Sequence, residues 1–113
     1  MNKVFVTGRI ARQPMLRKEQ NDVPHLILQL KVSHKTANGE IRNEFYPVSA
    51  WHNAALWGET HLQKGQVVGV QGYLSQRKVH AGNVQAMSVE ITAEEFLPMN
   101  VAEIPEKVET EVA

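Results

Sequence analysis

The chain predicts an all-β fold: a five-stranded antiparallel barrel with one short helix between the third and fourth strands, then a short disordered acidic tail. Apolar and polar residues alternate with period two in successive short stretches, as in strands with one face buried. Turn signals separate these stretches, and a single segment, HNAALWGETHLQKG (52–65), reads as helical.

The first strand is read from MNKVFVTGRI, where Val4, Val6, Gly8 and Ile10 share the face opposite Lys3, Phe5, Thr7 and Arg9. After a loop containing Pro14 and NDVP comes HLILQLKVS, with Leu26, Leu28, Leu30 and Val32 inward and His25, Gln29, Lys31 and Ser33 on the reverse. The Asn38-Gly39 pair in TANGE marks a hairpin turn into the third strand around FYPVSAW. The helix follows, ended by Gly65. Its Trp57 is expected to be a buried anchor. In QVVGVQGYLSQRKV, Val68, Val70, Gly72 and Leu74 alternate with Gln71, Tyr73, Ser75 and Arg77. Gly69 and Gly72 inside that strand suggest a bulge or sharp coil of the kind that closes a small barrel. A tight HAGN turn (80–83) leads into VQAMSVEIT, with Met87, Val89 and Ile91 expected inward. Three strands, a helix and a two-strand hairpin make the layout of an OB-type barrel. The periodicity fades from residue 93, so the domain is assigned to 1–92 and a flexible tail to 93–113.

A chain of 113 residues suffices for one modest core. Without cysteine it has no disulfide, thiolate zinc site or thiol nucleophile. The N-terminus does not read as a signal peptide, and no apolar run approaches the roughly 20 residues of a membrane span. The expected location is cytoplasmic, at the nucleoid. Five histidines (His25, His34, His52, His61, His80) are scattered without the i, i+4 spacing of a helical zinc motif, so they read as solvated or capping residues. The glycines form neither a P-loop nor GxGxxG, and no nucleophile sits in a motif with a base. No enzyme activity, metal or cofactor is expected.

Charge is balanced overall but not along the chain. Residues 1–92 carry eleven Lys and Arg against six acids, and residues 93–113 carry six glutamates against Lys107. A basic body points to a polyanionic partner. In NEFYPVSAWHN (43–53), Phe45, Pro47, Ser49 and Trp51 fall on one side of the strand, while Tyr46, Val48 and Ala50 face the core. Two rings beside a serine and a proline make a poor core face. They suit either base stacking, as in single-strand binders, or packing under a loop or against another subunit. Tyr73, on the polar face of its strand, is open to the same two readings. Phe5 and Ile27 also point outward from apolar-rich strands and predict a subunit interface.

MNKVFVTGRIARQP, NGE at 38–40, the EF…W segment and HLQKGQVVGVQGYLSQRK together resemble the bacterial single-stranded DNA-binding protein (SSB) family over residues 1–92. The resemblance implies an OB-fold that binds single-stranded DNA without sequence preference, usually as a homotetramer, here a homotetramer or homodimer. It also implies a setting among replication or recombination proteins. The family's stacking tryptophan falls on Phe45 and its second aromatic on Trp51; its basic pair falls on Arg77 and Lys78. With Tyr73, Lys31, Lys35 and Arg42, these residues make the candidate DNA site. The chain departs from the pattern at Val79, where the family stacks a further tryptophan, at Pro47 and Asn53, and in ending VETEVA. VPH at 23–25, Leu16-Arg17-Lys18 and VQGY at 70–73 are also similar to PriB-type primosomal replication proteins, the alternative relatives. An OB-fold that only contacts proteins is the third reading.

Overall fold

The computed structural model describes residues 1–99. Six strands and one α-helix follow in order: β1 (Val4–Ile10), β2 (Met15–Lys18), β3 (Pro24–Lys35), β4 (Ile41–Trp51), α1 (His52–His61), β5 (Val67–Ala81) and β6 (Val84–Pro98). Hydrogen bonding runs in the order β1-β5-β6-β4-β3-β2, and β1 also pairs with β3 through Arg9–Lys31 and Ile10–Leu30. That second pairing closes β1, β5, β6, β4 and β3 into the expected five-stranded barrel, with α1 between β4 and β5. A closed ring of five strands cannot alternate direction at every step. The unavoidable parallel pair is β4–β6, a short contact of Val48 and Ser49 with Ile91 and Thr92.

The core follows the alternation. Ile10, Leu26, Leu30, Val48, Val68 and Val70 are each at most 2 % exposed. Gly39 and Gly82 have positive φ, as the turns before β4 and β6 require. Gly65 likewise has a φ of 90°, but α1 ends earlier, at His61, and the glycine turns the loop into β5. The expected bulge is the register shift at Gln71/Gly72. A Cβ on Gly72 would collide with the carbonyl oxygen of Thr92, so only glycine lets β5 and β6 approach there.

Four expectations change. Met15–Lys18, read as part of a loop, is a strand on the edge of β3, with Met15 opposite Ile27 and Arg17 opposite His25. β6 continues six residues past 92, burying Ala93 and Phe96, so the barrel reaches Pro98. The bulge displaces the alternation by one, which is why the periodicity fades at 93 although the strand does not. Met87 and Val89, expected inward, are half exposed, as is Leu74. Beyond the short β4 contact, no strand among the described residues covers the apolar side of the β5–β6 ribbon. Tyr46, midway along the β3–β4 hairpin, and Trp57 are each 37 % exposed rather than buried. Tyr46 donates its hydroxyl to Glu44 (3.0 Å), and this bond raises its pKa. Trp57 stacks between His61 and Phe96 on the surface of α1. From residue 100 onward the acidic tail lies outside the described residues. With Glu94 and Glu95 inside β6, residues 1–99 carry eleven bases against eight acids.

Candidate nucleic-acid interface

The β3–β4 hairpin sets the spacing of the site. Its pairs run from Lys35–Ile41 through Lys31–Phe45, Gln29–Pro47 and Ile27–Ser49 to His25–Trp51. Paired residues share a face, so these side chains all lie on the side opposite Leu26, Leu28 and Leu30, on the outside of the barrel. Ser49 also pairs with Thr92 of β6, which pairs with Tyr73 of β5. The outer face therefore continues across five strands, from Met15 and Arg17 on β2 to Tyr73 and Arg77 on β5.

Along this face Phe45 is 51 % exposed, Lys31 beside it is partly exposed, and Lys35 is exposed near the hairpin end. Tyr73 is 37 % exposed. Arg77 joins the face but stands 3.7 Å from Glu90, a largely buried carboxylate that uses part of its charge. Arg42 pairs with His34, and Lys78 is odd in step with Arg77; both strands therefore direct these two residues to the reverse side. The structure thus gathers Phe45, Trp51, Tyr73, Lys31, Lys35 and Arg77, and sets Arg42 and Lys78 apart.

Trp51 is anchored by a residue the sequence reading left among the solvated histidines. His25 is fully buried, and its imidazole stacks on the indole with ring centroids 3.8 Å apart and planes 3° from parallel. Glu19 Oε1 lies 3.0 Å from His25 Nδ1, and Ser49 Oγ lies 2.8 Å from Nε2. A carboxylate only accepts, so Nδ1–H donates to Glu19, while Nε2 shares a hydrogen bond with the Ser49 hydroxyl. The bond from His25 holds the Glu19 carboxyl below its ordinary range; burial opposes this, and the nearby charges of Arg17 and Arg77 add to it. The signal for His25 was present in the turn. His25 and Trp51 stand thirteen residues either side of Asn38, so a hairpin centred on Asn38 brings them opposite each other.

Elsewhere, a groove of about 300 Å³ is lined by Ala54, Trp57, Glu94, Glu95 and Phe96. Its two carboxylates and lack of any base make it unsuited to a polyanion. Among the described residues, no three His, Cys, Asp or Glu side chains are placed to hold a metal ion, and no helix is long and apolar enough to cross a membrane.

Architecture and face together define an OB-type barrel bearing aromatic rings and basic side chains on one outer surface. The model of the single-strand binding protein family matches residues 1–99, and the chain belongs to that family. It is 32 % identical over 103 residues to the single-stranded DNA-binding protein of Malacoplasma penetrans, an alignment covering 88 % of this chain and 52 % of that one. Over 93 residues it is 31 % identical to single-stranded DNA-binding protein B of Bacillus subtilis, covering 80 % of each. The Aquifex aeolicus single-stranded DNA-binding protein is 32 % identical over 104 residues, 88 % of this chain and 71 % of the relative. The chain therefore spans from about half to four-fifths of these relatives' lengths. A solved chain described as Plasmodium falciparum SSB in complex with ssDNA shares the fold, with a TM-score of 0.77, 19 % identity, and coverage of 88 % of this chain and 96 % of that one. The family match favours the single-strand-binding reading over the primosomal one.

Proposed function

We propose that the outer face of β2, β3, β4 and β5 binds single-stranded DNA without sequence preference. In this reading Phe45, Trp51 and Tyr73 stack bases, and Lys31, Lys35 and Arg77 meet phosphates. Arg42 and Lys78, on the reverse, extend the path only if the strand wraps around the two hairpins. The observation that carries the reading is the shared outer face of Phe45 and Trp51, six residues apart, in a chain of this family. Stacking needs no particular base, because every base has a π-face, which accounts for binding without sequence preference.

The active form is a homotetramer or homodimer. Phe5, 73 % exposed on β1, is the strongest support, since a lone barrel gains nothing by wetting it. Ile27 is partly exposed and Tyr73 lies on the same side as the rings, so a subunit and a base compete as neighbours for these two. The setting is cytoplasmic DNA handling beside replication or recombination proteins. Titration of intrinsic fluorescence with oligo(dT) of several lengths, with solution mass measured in parallel, tests the whole reading. Saturable quenching by an oligomer is expected; no binding at low salt, or equal preference for duplex DNA, would overturn it.

A further inference from the structure

Trp51 differs from the other rings of the face because another ring covers one of its sides. His25 is 0 % exposed, stacks flat on the indole at 3.8 Å, and is itself held at both nitrogens, by Glu19 and by Ser49. Two hydrogen bonds on opposite sides of an imidazole leave it no rotation about its own axis. A flat ring pressed against that fixed plane has one orientation in which it keeps the contact. Burying a polar histidine under a half-buried tryptophan is also a poor way to gain stability, because an apolar residue of the same bulk would need no partners.

We infer that His25 is a positioning residue for nucleobase stacking: the Glu19–His25–Ser49 chain fixes the imidazole, and the imidazole holds Trp51 ready for an unpaired base. The inference rests on the reading that Trp51 stacks bases. A side chain that is already immobile loses less freedom when a ligand settles on it, so the bonds to His25 are expressed as affinity. Arg17 stands 3.9 Å from Glu19, and Arg77 is close enough for its charge to act on that carboxylate; both hold the acceptor end of the chain ionised.

The test uses the full chain carrying Trp57→Phe, which leaves Trp51 as the single tryptophan of the two present. His25→Leu and Ser49→Ala are each titrated with oligo(dT) of one fixed length, and the indole is followed by near-ultraviolet circular dichroism. Each substitution is expected to weaken binding about threefold to tenfold, the size of one side chain's lost ordering, and to diminish the Trp51 signal. The same substitutions made on Trp51→Ala should change affinity no further, while on Phe45→Ala they should keep their full effect. Ser49→Ala removes one hydrogen bond and almost no volume, so it decides the matter if His25→Leu does not fold. Undiminished losses on the Trp51→Ala background would make His25 a structural residue only and overturn the inference. So would unchanged affinity alongside an altered indole signal. Should Trp51→Ala by itself bind as tightly as the parent, the stacking site is misplaced, and that result appears before His25 is touched.

Discussion

The two ends of β4 present aromatic rings on one face under opposite conditions. At the Trp51 end, the ring is half-buried and laid against a histidine that is in turn bonded to Glu19 and Ser49. At the Phe45 end, six residues away, the ring is 51 % exposed and faces Lys31, with no stacked partner among the described residues. The difference teaches that a shared face does not mean a shared mechanism. In the proposed reading, one ring is set before a base arrives and the other is ordered by it.

The sharpest way to break this comparison is through the core behind each end. Leu26 lies behind the Trp51 end and Leu30 behind the Phe45 end, and both are 0 % exposed. Leu26→Ala and Leu30→Ala should each cost about 2–5 kcal/mol in urea unfolding. A much smaller cost for Leu30 would show that the Phe45 end is not seated on the core, and its exposure would then mean fraying.

Next come the rings themselves. Trp51→Ala and Phe45→Ala should each weaken oligo(dT) binding by about 1–3 kcal/mol. They should part in stability: Trp51→Ala uncovers His25 and should lower it by about 1–2 kcal/mol, whereas Phe45→Ala should stay within about 0.5 kcal/mol. Equal stability losses would erase the distinction between the two ends.

A smaller effect separates the ends by pH. The Glu19 carboxyl titrates below its ordinary value of 4.5 when folded, through its bond to His25. Its contribution to stability is therefore complete above that value and is lost as pH falls through the lower, folded one. Unfolding curves from neutral pH down to about pH 3 should show Glu19→Gln less stable than the parent at neutrality and converging with it in acid. Parallel curves throughout would show that the bond stores no pH-dependent stability.

The smallest expected effect is in salt dependence. Lys31→Ala should flatten the log–log slope of oligo(dT) affinity by about 0.7, one phosphate contact on a single strand. Arg77→Ala should flatten it less, because Glu90 at 3.7 Å already engages that guanidinium. If Arg77 gives the larger change, Glu90 yields its partner to the phosphate.

Much of this was legible in the sequence wherever one face met the core and the other met water. β1 alternates without a break, β3 does so from Leu26 to Lys31, and the Phe45–Trp51 face follows from counting by twos along β4. Legibility failed where that condition failed. The β5–β6 ribbon outruns its neighbours, so Met87 and Val89 have no core to face, and the bulge opposite Gly72 puts Ala93 and Phe96 an odd number of residues apart on the inside. His25 was read on the correct side of its strand, but a polar residue on an outward face looks solvated. Only the register of the hairpin reveals that Trp51 covers it. Glu19 lies beyond the reach of such counting, since a turn at Gln20–Asp22 carries it back toward β3.

The route by which the barrel closes bears on when this face comes into being. β3 and β4 are joined by the five residues 36–40, while β1 finds β5 only across the stretch that separates Val4 from Gly72. Short loops close at little entropic cost and long ones at more, so the hairpin carrying Phe45 and Trp51 can pair while β5 has yet to dock. On a chain emerging from its N-terminus, β3 and β4, which carry Phe45, Trp51, Lys31 and Lys35, are complete before β5 and β6. Pulse-labelled hydrogen exchange should therefore protect the amides of β3 and β4 earlier than those of β1, making the hairpin of the proposed face the template on which the rest of the barrel is wound.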